Sequence, residues 1–160
     1  VRILYPIKGK KNFESAFKSG KRFYCGNASA IVVFKKAIDD NLLQNCVDGD
    51  NSGVSIPPDM PSRISFAVIA GKKISKKAVV RNRIKRLLRE SLRAVVFHPE
   101  LKNVFENIES ILLFWRKVIE KPSLLRFVEV HEVVIDLLKD IDIYWRKLNK
   151  NSSCQTSDNG

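Results

Sequence analysis

The chain has 160 residues, enough for one domain with a substantial core, and 44% of them are hydrophobic, which excludes a basic disordered tail. Its 29 basic and 17 acidic residues leave a net charge of +12, a self-repulsive surplus that a polyanionic partner would relieve. The longest apolar runs, AIVVF (30–34) and ILLFW (111–115), are strand-sized and fall far short of the ~20 residues that span a bilayer.

The opening stretch, VRILYPIKGKKNFE, lacks the apolar core of a signal peptide. KNFESAFKSG (11–20) reads as a short helix, with Phe13 and Phe17 four apart on one face and Gly20 as its stop. ASAIVVFKK (28–36) is β-branched and apolar, a strand. Residues 37–62 carry five aspartates, no Lys or Arg, and Pro57, Pro58 and Pro61. That composition and length predict a flexible insertion within the domain, without a role in holding nucleic acid.

RISFAVIAGKK (63–73) alternates, with Ile64, Phe66, Val68 and Ala70 on one side and Ser65, Ala67 and Ile69 on the other, as a strand requires. Ser75 is placed to cap the helix that follows, which ends near Phe97 before His98-Pro99. A third strand covers Ile111 to Arg116, and a last helix runs from about Glu129 to Leu148 with a broad apolar side. Residues 151–160 read as a disordered polar tail, leaving one domain over 1–150. This order predicts an α+β chain, a two-layer sandwich with helices over one face of a small sheet.

Charge is unevenly distributed. Residues 1–36 hold nine basic side chains and one acid, and residues 63–97 hold eleven and one. The two basic segments are expected to share a face. Cys25, Cys46 and Cys154 are odd in number and form no C-x-x-C pair, which suggests neither a disulfide framework nor zinc and fits a reducing cytoplasm.

The most informative stretch is KKAVVRNRIKRLLRESLR (76–93), with eight basic residues and one acid. At 100° per residue, Val80, Ile84, Leu87, Leu88, Ser91, Leu92 and Val95 gather on one side. Arg81, Asn82, Lys85, Arg86, Arg89 and Arg93 gather on the other. A solvated helix intersperses Glu with Lys, whereas here Arg81, Lys85, Arg89 and Arg93 stack like charges at i,i+4. The pattern points to a phosphate-binding face.

SKKAVVRNRIKRLLRE also resembles the signature of the bacterial ribonuclease P protein subunit, through Ala78, Arg81, Asn82, Arg83, Ile84, Lys85, Arg86, Leu88 and Arg89. RISFAVIAGKK, ESILLFWRK and FESAFKSGKRF are similar to the strands and N-terminal helix that surround that motif. The chain departs from the family at 37–62, where members use a short turn, and at Ser75, where some have glycine. The resemblance implies the sandwich of the second domain of a small-subunit ribosomal protein, with a left-handed strand-helix-strand crossover. It implies a chain that binds the ribonuclease P RNA subunit and precursor tRNA and promotes removal of the 5′ leader, while the RNA performs the chemistry. Magnesium would be required by the holoenzyme and held mainly by RNA, with no cofactor bound by the protein alone. Arg81, Asn82, Arg83, Lys85, Arg86, Arg89, Lys73 and Lys76 would contact RNA, and Phe13 and Phe17 would line the leader-binding cleft. Lys72 and Lys77 would add to the same field.

No catalytic or metal-binding set is expected in the chain itself. Glu14 and Glu90 are the only acids in the basic regions, and His98 and His131 stand apart. The competing reading is a ribosomal or general RNA-binding protein without a role in cleavage; membrane and DNA partners are not expected.

Overall fold

The computed structural model describes residues 2–35, 62–121, 123 and 125–153. The insertion expected at 37–62 lies outside the described residues apart from Ser62. Of the expected tail, residues 151–153 are described, and they continue the last helix.

In chain order the elements are β1 (Arg2–Pro6), α1 (Lys10–Ser19), β2 (Lys21–Cys25), β3 (Ala28–Phe34), β4 (Ser62–Ile69), α2 (Ala78–Val96), a 3-10 turn (Pro99–Leu101), α3 (Lys102–Asn107), β5 (Ile108–Trp115) and α4 (Phe127–Ser153). The strands form one mixed sheet in the order β1-β4-β5-β3-β2. β1, β4 and β5 run parallel, and β3 is antiparallel to both β5 and β2. The chain is therefore α+β, with five strands where the sequence suggested three.

The two additional strands are short edge strands. β2 has only Phe23 and Cys25 directed toward the main core, with Arg22 and Tyr24 exposed between them. It joins β3 through a two-residue turn, Gly26-Asn27, in which Gly26 takes φ +53°. That left-handed conformation suits a hairpin turn and favours glycine. Among the described residues β1 pairs only with β4, about sixty positions away, so nothing near it in sequence announces a strand.

The sheet carries helices on both faces, not on one. Ala30, Val32, Ile64, Phe66, Ile111, Leu113 and Trp115 share the main core with the apolar sides of α2 and α4. The alternate residues Ile31 and Leu112 pack beneath Ala16 and Phe13 of α1, on the opposite face. The apolar stripe of α1 is too narrow to cover that face, and open grooves remain on both of its flanks. The cations of α1 and those of α2 accordingly lie on opposite faces of the sheet, whereas Lys8 and Arg63, one from each basic segment, both lie near Tyr5 on the α1 face. α1 stops at Gly20, where an added Cβ would collide with the Ile31 side chain and the Ala16 carbonyl.

α2 is buried along Val80, Ile84, Leu87, Leu88, Ser91, Leu92, Val95 and Val96, the side its apolar spacing defined. Buried Ser91 shares a 3.1 Å hydrogen bond with His131 Nδ1 of α4, and Phe127 stacks on that imidazole. His131 is thus part of the α2–α4 packing. The helix begins one residue after Lys77 and has no side-chain N-cap. Ser75 instead accepts the Lys77 N–H at 3.3 Å in the preceding turn, so it is not the expected cap. α4 extends past both expected ends, and its second half closes over β2 and β3 through Phe23, Phe34, Tyr144 and Trp145.

Leu88 is fully buried. Leu88→Ala is expected to lower unfolding free energy by about 2–5 kcal/mol. Gly20→Ala should also destabilise, because backbone at α1's end must shift. Urea denaturation midpoints with unchanged m-values check both.

Candidate nucleic-acid interface

With the apolar side of α2 committed to the core, its cations must face outward, but they do not act as one uniform stripe. Arg81 is half-buried, and its Nη1 donates to the carbonyls of Ser75 (2.9 Å) and Lys76 (2.8 Å). Part of that guanidinium therefore fastens the β4–α2 loop to the helix. Arg83 reaches the opposite flank, where Nη2 donates to the Leu125 carbonyl at 3.3 Å. Arg86 pairs with Glu90 at 2.9 Å, but the pair is exposed, and such pairs contribute about 0–1 kcal/mol. Lys85 is half-buried and Arg89 and Arg93 are exposed, and none of these three makes an ion pair among the described residues.

Two shallow concavities flank this helix. One, of 530 Å³, gathers Asn82, Arg83 and Arg86 beside exposed Val79. The other, of 500 Å³, is formed by Lys72, Lys73, Lys76 and Lys77 of the β4–α2 loop together with Val118 and Glu120. The expected RNA-contact residues thus fall into three neighbouring sets: the loop lysines, the Asn82 groove, and the Lys85–Arg89 ridge.

Across the sheet, Phe13 and Phe17 stack at 6.3 Å, yet their environments differ. Phe13 is half-buried and packs with Ala16 in the smaller core. Phe17 is 39% exposed and walls a groove of 210 Å³ together with Arg22, Tyr24, Ser29, Ile31 and Phe114. The Phe114 ring meets Phe17 edge-on at 6.4 Å. Two guanidinium groups lie against these rings, Arg22 over Phe17 at 4.9 Å and Arg116 over Tyr24 at 5.1 Å. Such contacts hold aromatic faces and cations together without closing the groove. Of the two phenylalanines expected to line a cleft, only Phe17 lines this one.

The groove and the lysine loop meet at one end of the sheet. Ile69, Phe114, Ser29 and Tyr24 stand side by side on β4, β5, β3 and β2, and the loop begins directly after Ile69. A strand could therefore pass from one surface to the other around the sheet end.

Other chemistry is poorly supported by the side chains present. Among the described residues, no cluster of three or more His, Cys, Asp or Glu could hold a metal ion, and no helix is long and apolar enough to cross a membrane. Burial, followed by the charges of Asp140 and Asp136, pushes the Cys25 thiol up and keeps it protonated, a poor nucleophile.

The Ribonuclease P family model matches residues 4–126, a segment running from within β1 through α1, α2 and α3 to β5 and including both surfaces just described. The chain belongs to the ribonuclease P protein component family. A ribonuclease P protein component from Microcystis aeruginosa is 30% identical over 61% of this chain, an alignment spanning 63% of that relative's length. One from Clostridium kluyveri is 28% identical over 88% of this chain and 97% of the relative. The fold resembles the solved Staphylococcus aureus RNase P protein, with TM-score 0.54 and 18% identity over 84% of this chain and 93% of that one.

Arg22, Tyr24 and Phe114 line the groove and Arg116 lies over Tyr24, but none of them was singled out from the sequence. The alternation Arg22-Phe23-Tyr24 followed by Gly26-Asn27 carried the signal for the first two, once read as a hairpin strand. Phe114 was hidden in an apolar run whose two faces are both covered.

Arg81→Ala leaves two carbonyls without a charged donor and is expected to cost about 1–3 kcal/mol of stability. Arg89→Ala, two helical turns away from such contacts, should stay within about 0.5 kcal/mol of wild type. Chemical denaturation of the two variants side by side measures the contrast.

Proposed function

We propose that this chain serves as the protein component of ribonuclease P in the cytoplasm, binding the catalytic RNA subunit through the α2 side and the 5′ leader of precursor tRNA in the Phe17 groove. It thereby promotes magnesium-dependent removal of the leader. Its family membership supports the assembly, and the observation that carries the leader role is the groove itself. Exposed rings of Phe17 and Tyr24, with Phe114 edge-on to Phe17, offer faces for unpaired bases, and Arg22 and Arg116 supply adjacent positive charge. Stacking contributes roughly 1–3 kcal/mol per base and tolerates any sequence, as a chain meeting many different leaders requires.

In this reading, Lys73, Lys76, Arg83, Lys85, Arg86 and Arg89 neutralise phosphates of the RNA subunit. Asn82 supplies a hydrogen bond among them, and Arg81 contributes the donors it does not spend on Ser75 and Lys76. The reading also implies the left-handed hand for the β4–α2–β5 crossover. Magnesium would supply electrostatic stabilisation and an activated water in the RNA. The carboxylates described here make no cluster suited to it, so no step is routed through the protein. The chain's own contribution is to hold the leader beside the RNA and favour substrates that still carry one.

Reconstitution with a bacterial ribonuclease P RNA should raise precursor-tRNA cleavage at low magnesium, while the protein alone should not cleave. Failure to stimulate any such RNA, with RNA binding intact, would favour a general RNA-binding role. RNA affinity should also fall with salt at a log-log slope of about 0.7–0.9 per phosphate contact, and Arg83→Ala with Arg86→Ala should reduce that slope.

Phe17→Ala is expected to weaken holoenzyme binding of precursor tRNA by roughly fivefold to a hundredfold, the equivalent of one lost stacked base. Mature tRNA, which has no leader, should respond little. Equal weakening for both tRNAs would reject the leader role, and circular dichroism of the variant excludes a folding defect as the cause.

A further inference from the structure

β5 does not run evenly along β3. Val33 faces Ser110 and Phe34 faces Ile108, so Glu109 is an extra residue with no partner across the ladder. A bulge of this kind re-aims a side chain. Here it turns Glu109 toward a groove of 560 Å³ on the sheet face that carries α1, on the flank away from Phe17. Ser65 and Ser110, opposite one another on β4 and β5, also line that groove. Tyr5 of β1 lines it as well, 40% exposed, with the Arg63 guanidinium 5.4 Å from its ring centroid. Lys8 adds a second nearby cation.

The carboxylate is the anomaly. On a chain of net charge +12, an acid in a groove beside Arg63 and Lys8 repels phosphate and weakens non-specific binding. Among the described residues no Lys or Arg makes an ion pair with it. A carboxylate so placed is useful where it receives hydrogen bonds from a neutral ligand with paired donors. Of the four RNA bases, only guanine presents two adjacent donors on one edge, N1–H and the exocyclic N2–H. They match the two oxygens of a carboxylate in bidentate fashion. Cytosine and adenine each offer one amino group beside an acceptor, and uracil offers one N–H between two carbonyls. The volume is that of a small-molecule pocket, and Tyr5 provides a stacking face.

We propose that this groove is a guanine-selecting pocket for an unpaired nucleotide, with Glu109 accepting from N1–H and N2–H, Tyr5 stacking on the base, and Arg63 or Lys8 meeting a flanking phosphate. The proposal rests on the RNA-binding reading above. It adds a choice of base, which stacking in the Phe17 groove does not provide.

The test uses the full chain at low salt and five-nucleotide uridine strands with a central guanosine, inosine or adenosine, followed by fluorescence anisotropy. Inosine keeps N1–H and lacks the N2 amine. The expected order is guanosine, inosine, adenosine, with guanosine roughly tenfold tighter than adenosine, the size of a bidentate base contact. Glu109→Gln should bring the guanosine-to-adenosine ratio close to one, even if loss of a negative charge tightens all three strands together. Tyr5→Ala should weaken all three by a similar factor and preserve the ratio. Binding without base preference in the wild-type chain overturns the pocket and leaves the RNA-binding reading standing. A preference that survives Glu109→Gln overturns the role of Glu109. Absence of binding to every strand overturns both readings.

Discussion

β5 is buried on both faces from Ile111 to Leu113. Ile111 and Leu113 point into the main core beneath α2 and α4, and Leu112 and Phe114 point the other way, toward α1. It is also hydrogen-bonded on both edges, parallel to β4 and antiparallel to β3. Both helical layers therefore rest on one eight-residue strand. Burying apolar side chains of this size contributes about 1.5–3 kcal/mol each, so a loss here would be felt in both layers at once. The functional surfaces inherit the same dependence. Phe114 lines the Phe17 groove, and the bulge at Glu109 shapes the groove on α1's other flank.

α2 shows how the fold tolerates a charge pattern that it does not need. The like-charged spacings from Arg81 through Lys85 and Arg89 to Arg93 each cost a few tenths of a kcal/mol. One buried leucine on the opposite side of the same helix outweighs them together. The repulsion is further eased at Arg81 by two carbonyls and at Arg86 by Glu90. Stability thus places little constraint on the outer side of α2, and a ligand with many negative charges is the simplest reason for its composition.

The elements legible in the sequence were those whose side chains report a single environment. The buried side of α2 follows 3.6-residue spacing, and β4 alternates between Ile64, Phe66 and Val68 on one face and Ala67 and Ile69 on the other. β1 was hidden because its only partner among the described residues is remote in sequence, and β2 because an edge strand buries little. The position of α1 on the far face was equally hidden. An apolar run such as ILLFW shows that β5 is buried on both sides, but not which helix covers which side. Among the candidate site residues, the cations of α2 were visible by type and spacing. That Arg81 is tied to carbonyls and Arg83 to the far flank depends on tertiary neighbours that no helical wheel contains. Phe13 and Phe17 looked alike in sequence, and only the position of α1 over Ile31 and Leu112 separates a packed ring from an open one.

The sheet order also governs how freely the chain between β3 and β4 can change in length. β3 runs antiparallel to β5 and β4 runs parallel to it, so the end of β3 and the start of β4 emerge from the same end of the sheet with β5 between them. Two strand spacings separate those ends, roughly 10 Å, a gap that a handful of residues can bridge. Beyond that minimum, the entropy of closing the connection grows only logarithmically, by about 0.6 kcal/mol for each doubling. The fold therefore sets a lower bound on this connection and almost no upper one, which makes it a site where sequence can be gained or lost while both surfaces of the sheet stay in register.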